Sequence, residues 1–298
     1  MQEASNDTKA ANVNSILILK NINFEIRIRI EIGFYKMQVV NLYICTMEGY
    51  INSKVDQDGI GIIEFFHPAH NSLPSYLLVE LTNEINLLSE DVDCEVIILK
   101  SGGDRTFCAG ASFDELINIQ NEEEGKIFFS GFANVINAIR KSSKIVIGRV
   151  QGKAVGGGVG IASAVDFCFA TKYASVKLSE LGIGIGPFVI GPAVQRKLGL
   201  SAFAELALNY TKFFDYEWAT EKGLYENVYN DVQEMDVELL KFAHDLVKTN
   251  PGARKGMKKM FWHGTDHWDQ LLDTRAAESG RLVLSEFTKK TLAHIKKK

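Results

Sequence analysis

From residue 60 onward, the order of apolar and polar positions predicts strands that alternate with helices. The short apolar runs typical of buried strands are Ile60–Phe66, Cys94–Leu99, Lys144–Val150, Phe167–Ala170 and Ala174–Leu178. Between them, Ser75–Leu88 and Phe113–Arg140 repeat apolar residues at helical spacing. Such alternation is typical of βαβ units around a largely parallel sheet. We therefore expect an α/β core over residues 47–192.

The pattern changes to mostly helical after Pro192. The segments with helical spacing are Ala202–Tyr210, Tyr216–Lys222, Gln233–Lys248, Gly252–Trp262 and Trp268–Leu284. A tandem of short helices after an α/β core often forms a separate layer or a contact between subunits. Residues 193–298 are therefore predicted to be a helical C-terminal region for packing and oligomerisation.

The first 46 residues differ from the rest. Only Phe24–Ile32 has a regular pattern, with apolar and charged residues in strict alternation. An isolated strand does not stabilise itself, so we interpret residues 1–46 as a disordered or non-native extension, with Met47 as the working start. The alternative is an added edge strand.

Composition narrows the class of protein. The 298 residues carry a net charge of −4, with 46% hydrophobic residues. This slight acidity argues against a nucleic-acid or anionic-membrane partner, and no apolar run approaches the ~20 residues of a membrane span. Cys45, Cys94, Cys108 and Cys168 lack metal-site spacing. We expect no metal, no disulfide and a reducing, cytoplasmic location.

Two glycine-containing segments, 101–112 and 150–161, each follow a predicted strand and precede a predicted helix. Turns of this kind present several backbone N–H groups at a helix N-terminus, where they favour a phosphate or a developing oxyanion. The alternative is a pair of tight packing turns. Neither segment fits the dinucleotide-binding or P-loop pattern, so nucleotide binding through those motifs is not expected.

A third segment, Val176–Pro187, has one carboxylate, Glu180, among apolar residues and glycines. A carboxylate that is removed from water there has a raised pKa and suits a general base. An exposed loop glutamate is the more ordinary interpretation.

Together these segments resemble the crotonase superfamily, the enoyl-CoA hydratase/isomerase family. The resemblance rests on Thr106–Ala111, on Gly156-Gly157-Gly158 with Asp166, and on Ser179-Glu180-Leu181, and it extends from about Ile60 to the C-terminus. It implies a repeated ββα spiral with a C-terminal helical region, a homotrimer or homohexamer, and an acyl-CoA thioester substrate without a further cofactor.

The resemblance also implies roles for individual residues. The oxyanion hole would be formed by the N–H groups of Ala111 and Gly157, and Glu180 would be the catalytic residue. The implied substrate-binding residues are Arg105, Ala109, Gly110, Gly158, Gly160 and Phe188, with Arg105 at the coenzyme A phosphates.

The sequence departs from the family pattern at positions that bear on the reaction. Many hydratases carry two glutamates; the second corresponds to Glu180, whereas the first falls on Gly160. Ser112 stands where the family usually has an acid, and Phe188 is expected to narrow the acyl site. One carboxylate is enough to move a double bond, whereas hydration must also orient a water molecule.

The sequence therefore predicts an enzyme of the enoyl-CoA hydratase/isomerase type. Three alternatives stay open: an isomerase only, a hydratase of a branched 2-enoyl-CoA such as methylglutaconyl-CoA, and a non-catalytic acyl-CoA binder.

Overall fold

The computed structural model describes residues 49–296, so the predicted extension over residues 1–46 lies outside the described residues. The chain enters the fold through an antiparallel pair of strands and then adds parallel strands. The strands are β1 (Tyr50–Val55), β2 (Ile60–Phe66), β3 (Val96–Ser101), β4 (Thr106–Cys108), β5 (Ile145–Val150), β6 (Lys153–Val155), β7 (Phe167–Thr171), β8 (Val176–Lys177) and β9 (Asn227–Tyr229).

The strands form two sheets, of order β1-β2-β3-β5-β7-β9 and β4-β6-β8. The pairs β3–β4, β5–β6 and β7–β8 each contribute one strand to each sheet, and each pair is followed by helical structure. This recurrence is the ββα spiral that the resemblance implied, so the expected fold class is confirmed. In the second sheet, β4 and β6 directly precede the two glycine-containing turns, and β8 precedes Glu180. The repeat therefore brings these three segments to the same edge of the sheet.

Eleven α-helices and one short 3-10 helix lie within the described residues. The helices are α1 (Ser75–Glu90), α2 (Phe113–Leu116), α3 (Glu122–Lys141), α4 (Gly157–Ala164), α5 (Gly191–Leu198), α6 (Leu200–Leu208), α7 (Tyr216–Glu221), α8 (Val232–Val247), α9 (Pro251–Phe261), α10 (Trp268–Val283) and α11 (Glu286–Ile295); the 3-10 helix spans Glu180–Ile183.

The continuous helix predicted over Phe113–Arg140 is wrong, because the chain breaks between α2 and α3. The Asn121 side chain accepts a hydrogen bond from Glu124 N–H at 2.9 Å, and Glu124 accepts one from Gln120 N–H at 2.8 Å. This reciprocal cap starts α3, whereas α2 already ends at Leu116. The polar stretch before Glu122 was the available signal.

The six-stranded sheet is covered on both faces. Ile60, Val96, Ile98 and Ile147 pack with α8 on one face, while Ile63 and Phe65 face the larger core with α1 and α3. Burial on both faces explains why these strands have continuous apolar runs. The predicted helical region also adds β9 to this sheet.

A buried ion pair joins the core to the C-terminal helices. Asp166, at the end of α4, accepts hydrogen bonds from Val146 N–H at 2.8 Å, from Lys258 Nζ at 2.6 Å and from Trp262 Nε1 at 2.9 Å. The side chains of Asp166 and Lys258 are 1% and 3% exposed. Asp166, which belongs to the family-like motif, thus holds α9 against β5.

Replacing Lys258 with methionine is expected to lower the free energy of unfolding by about 3–5 kcal/mol, because the Asp166 carboxylate loses its buried counter-charge. Urea unfolding measures this loss. Lys248→Met is the matched control, since Lys248 is exposed and pairs with Asp245 at the surface; its expected cost is below about 1 kcal/mol. Equal stabilities for the two variants would contradict the structural role of the buried pair.

Candidate active site

The first loop presents a backbone N–H that no neighbouring strand uses. Leu73 N–H donates to Gly110 C=O at 2.8 Å, and Ser112 N–H donates to Leu73 C=O at 3.2 Å. In this pairing the N–H of Ala111, which lies between the two bonded residues, is left free of Leu73. Gly110 has φ +92°, a conformation that favours glycine. The bonds fix the loop and leave the Ala111 N–H available.

Asn71 holds this loop from beneath. Its buried side-chain amide donates to the carbonyl oxygens of Gly102 and Thr106 at 2.8 and 2.9 Å, and its Oδ1 accepts from His67 N–H at 2.9 Å. Sequence reasoning did not identify Asn71, because an asparagine in a turn carries no distinctive spacing.

The second loop places Gly157 at the first position of α4, where the N–H has no acceptor within its own helix. Gly156 before it has φ +54°, and its N–H donates to Lys177 C=O at 2.9 Å. The two loops are adjacent: a side-chain carbon built at Gly110 would lie 3.5 Å from Gly157 N. The loop that carries Ala111 is therefore adjacent to the Gly157 N–H, while an oxyanion hole formed by the two N–H groups stays a prediction.

Glu180, at the start of the 3-10 helix, lies beside these loops. A side-chain carbon at Gly156 would lie 3.0 Å from Glu180 Oε1, so glycine is needed there for close approach as well as for its backbone conformation. The residue as a whole is only half-buried, but its Oε2 is inaccessible and has no hydrogen-bond partner among the described residues. Burial raises the pKa of Glu180 to about 7, against the opposing effect of nearby backbone N–H groups.

A cavity of about 360 Å³ opens between the two loops and Glu180. Its wall is mostly apolar and aromatic. The apolar side chains that line it come from α2, α3, the 3-10 helix, the segment after it and α11: Phe113, Leu116, Phe128, Phe129, Phe132, Ile183, Ile185, Pro187, Phe188, Val189, Ile190 and Ile295. Among the described residues that line it, Glu180 is the only one that ionises. The cavity therefore suits an apolar chain with one proton-transfer group at its side.

A second cavity, of about 550 Å³, meets the first at Ala109, which lines both. Its other lining side chains include Arg105, Lys153, His70 and Tyr173. The backbone segments that carry Arg105 and Lys153 lie in close contact, since a side-chain carbon at Gly152 would lie 2.3 Å from Arg105 C=O. An apolar cavity thus continues into one with cationic side chains, which suits a ligand with an apolar end and an anionic end.

The structure brings together most of the residues that the sequence singled out. Ala109, Gly110, Ala111, Gly157, Glu180 and Phe188 line the apolar cavity, and Arg105 lines the second. Two of the implied substrate-binding residues do not line either cavity. A side-chain carbon at Gly158 would meet Cys108 C=O at 2.3 Å, and one at Gly160 would meet Ile190 Cγ2 at 2.4 Å.

Both glycines are packed closely against neighbouring elements, and their role in substrate binding stays a prediction. Both face neighbouring elements because α4 turns only its first residues towards the loops. A glutamate introduced at Gly160 would have no room beside Ile190 and would not supply a second carboxylate.

Much of the apolar wall was not identified from the sequence, and Phe132, Ser279 and Ile295 are examples. Phe132 on α3 contacts the second loop, since a side-chain carbon at Gly157 would lie 2.2 Å from Phe132 Cε1. Ser279 and Ile295 come from α10 and α11, more than a hundred residues beyond the loops in sequence. Gly156 was part of the quoted motif, although its contact with Glu180 was not foreseen.

Within the described residues, no group of three or more His, Cys, Asp and Glu side chains is arranged to hold a metal ion. No helix in residues 49–296 is both long and apolar enough to cross a membrane.

Comparison with known proteins identifies the family. Residues 56–294 match the model of the enoyl-CoA hydratase/isomerase family. The chain is similar to a crystal structure of enoyl-CoA hydratase from Bacillus halodurans, with a TM-score of 0.76 and 22% identity, over 82% of this chain and 99% of that one. At this identity, the likeness supports the fold.

Two sequence relatives carry different activities in their names. The peroxisomal Delta(3,5)-Delta(2,4)-dienoyl-CoA isomerase of Arabidopsis thaliana is 26% identical over 263 residues, which cover 81% of this chain and 92% of that protein. The mitochondrial methylglutaconyl-CoA hydratase of Mus musculus is 30% identical over 192 residues, which cover 63% of this chain and 60% of that protein. Since the family match spans most of the chain, the protein belongs to the enoyl-CoA hydratase/isomerase family of the crotonase superfamily and is an enzyme of the hydratase or isomerase type.

Proposed function

We propose that the protein moves the double bond of a 3-enoyl-CoA thioester into conjugation with the thioester carbonyl. One observation carries this proposal. Among the described residues that line the apolar cavity, Glu180 is the only one with an ionisable side chain. One carboxylate is enough for a proton shuttle between two carbons of the same chain.

In the proposed reaction, the Glu180 carboxylate removes a proton from the α carbon. The electron pair of that C–H bond forms a double bond between the carbonyl and α carbons, and the carbonyl π pair moves onto the thioester oxygen, which gives a dienolate conjugated with the β,γ double bond. When the γ carbon is later protonated, the carbonyl re-forms and the remaining double bond lies between the α and β carbons. The N–H groups of Ala111 and Gly157 stabilise the negative charge on the thioester oxygen. Glu180, now a carboxylic acid, returns the proton to the γ carbon. Atoms and electrons balance, so no cofactor is required beyond the coenzyme A of the substrate.

Hydration of a 2-enoyl-CoA is the second candidate, favoured by the hydratase name of the mouse relative. Water would then have to be both held and deprotonated at the β carbon. Gly160, where many hydratases have their other glutamate, is packed against Ile190. We therefore expect hydration to be the slower activity. A non-catalytic acyl-CoA binder would have no need of a buried carboxylate with a raised pKa.

The nucleotide end of coenzyme A is assigned to the second cavity. Arg105 and Lys153 line it and are exposed, so both can reach a phosphate. Tyr173, whose side chain is 62% exposed, offers an aromatic face beside them.

A direct assay of this proposal uses a 3-enoyl-CoA and a 2-enoyl-CoA of the same chain length. The absorbance of the conjugated thioester should rise with the first substrate, and it should fall much more slowly with the second. No change with any 3-enoyl-CoA tested, together with rapid loss of absorbance from the 2-enoyl-CoA, would favour the hydratase instead.

The pH dependence follows from the raised pKa of Glu180. The free enzyme needs the carboxylate, so kcat/KM for isomerisation should increase with pH and level off above pH ~7, the folded-state pKa. An ordinary carboxylate would give a rate that is already constant at pH ~6. A pH-independent rate between pH ~5 and ~8 would contradict the buried-base assignment.

We further propose a homotrimer or homohexamer. Helix α6 exposes Leu200 and Leu208, at 65% and 69%, on nearly one face, and Tyr210 and Phe213 follow it. Light scattering should give three or six times the chain mass, whereas a monomer would contradict this proposal.

The buried free thiols of Cys94, Cys108 and Cys168 suit a reducing compartment such as the cytoplasm.

A further inference from the structure

The apolar cavity follows helix α3 away from the oxyanion loops. At one end Phe132 contacts the position where a side chain at Gly157 would lie. At the other end Gly125 approaches Gly280 of α10, since a side-chain carbon at Gly125 would lie 2.6 Å from Gly280 Cα. These two points on α3 are seven residues apart, which is about 10 Å along the helix axis. Phe128 and Phe129 line the cavity between them.

Ser279, next to Gly280, lines this cavity at the α10 end. The residue is only 1% exposed, and its hydroxyl makes no hydrogen bond with any of residues 49–296. Thr274, on the same helix, instead donates to Gln270 C=O at 2.9 Å. A buried hydroxyl normally has a partner, because removing it from water without one is costly. The Ser279 hydroxyl is therefore free to bond a group that enters the cavity.

The wall of the cavity also restricts the charge of that group. No lysine, arginine or histidine of the described chain lines it, and Glu180 is an acid. A second carboxylate on the acyl chain would be buried without a counter-charge and near another carboxylate, which is strongly unfavourable. Dicarboxylic acyl groups such as methylglutaconyl thus fit the cavity poorly.

We infer that Ser279 selects uncharged acyl chains of medium length that carry a hydrogen-bonding oxygen, such as a carbonyl or hydroxyl, near their far end. This specificity rests on the proposed function for its substrate class, since it concerns the acyl part of the same thioester. It goes beyond that function because it names Ser279 as the residue that recognises the acyl chain, at the end of the cavity that lies about 10 Å along α3 from the contact of Phe132 with the second loop.

The test measures binding of saturated esters, which do not react. The ligands are octanoyl-CoA, its analogue with a carbonyl at the penultimate carbon, and octanedioyl-CoA, in which a carboxylate ends the chain; calorimetry gives each Kd. The preference of the wild-type protein for the carbonyl analogue over octanoyl-CoA should fall by about 3- to 10-fold in Ser279→Ala. Octanedioyl-CoA should bind at least about tenfold more weakly than octanoyl-CoA.

Ser163→Ala is the matched control, because Ser163 is also buried with an unpartnered hydroxyl but does not line the cavity. It should leave the preference unchanged. Unaltered octanoyl-CoA affinity in Ser279→Ala shows that the variant is folded. An equal preference in Ser279→Ala and wild type, or tight binding of octanedioyl-CoA, would overturn the inference. Because no turnover is measured, a failure of the isomerase proposal in the enoyl-CoA assay is distinguishable from a failure here.

Discussion

Replacing Glu180 with glutamine is expected to lower isomerase turnover by about 10²- to 10⁴-fold, the usual contribution of a positioned general base. Affinity for a saturated acyl-CoA should change little, because binding rests on the loops and the apolar wall. The measurement is turnover of a 3-enoyl-CoA beside calorimetric binding of octanoyl-CoA. Glu205→Gln, which changes an exposed glutamate, is the control and should keep full turnover.

The same substitution should make the protein more stable at neutral and alkaline pH. The folded state retains the Glu180 proton up to pH ~7, whereas the unfolded chain releases it near 4.5. Folding therefore binds a proton in this window, and wild-type stability falls as the pH rises through it. Between pH ~4 and ~8, the stability of Glu180→Gln relative to wild type should grow by about 3 kcal/mol. Equal pH dependence in denaturant unfolding of the two proteins would contradict burial of the ionised carboxylate.

Gly157→Ala should lower turnover by about 10²- to 10³-fold, the cost of losing one oxyanion donor. The added carbon would lie 2.2 Å from Phe132 Cε1, so the loop must shift and take the Gly157 N–H with it. Turnover of a 3-enoyl-CoA and thermal unfolding, measured together, separate this local effect from loss of fold.

A second substitution tests the cause of that loss. Phe132→Ala removes the ring that the new methyl group would meet, so Gly157→Ala with Phe132→Ala should recover much of the turnover relative to Phe132→Ala alone. Gly256→Ala is the control for a glycine that has open space around it, and it should be as active as wild type. Normal turnover in folded Gly157→Ala would show that the N–H at this position is not an oxyanion donor.

The sequence predicted the parts of the fold whose patterns are long. The run Ile60–Phe66 coincides with β2, and Ser75–Leu88 predicts all but the last two residues of α1. The strands β4 and β6, of three residues each, are too short to show a period and were not predicted, whereas β8 lies within the predicted run Ala174–Leu178. The break before α3 was missed because its cap lies within an otherwise helical pattern.

The sequence predicted the parts of the candidate site that leave a local pattern, namely the two glycine-containing loops and Glu180. Glycines between a strand and a helix indicated the two loops, and an isolated acid among apolar residues indicated Glu180. The wall of the cavity was not predictable in the same way. Phe132 and Ser279 are ordinary helix residues, and only the packing of α3 against α10 brings them to the site.

Packing also separates Gly158 and Gly160 from the binding residues. From the motif alone, every glycine of the second loop was equally suited to contact a ligand. In the structure, Cys108 and Ile190 occupy the space beside these two positions, and neither glycine lines the apolar cavity.

The central claim is that one buried carboxylate, Glu180, carries the same proton from the α to the γ carbon. Isomerisation of a 3-enoyl-CoA in D₂O, followed by mass spectrometry and NMR of the product, tests it most directly. Because Glu180 Oε2 is inaccessible to solvent, the account predicts a 2-enoyl-CoA that retains protium at the γ carbon in a large fraction of molecules. One deuterium at the γ carbon in every product molecule, or a 3-hydroxyacyl-CoA as the main product, would contradict it.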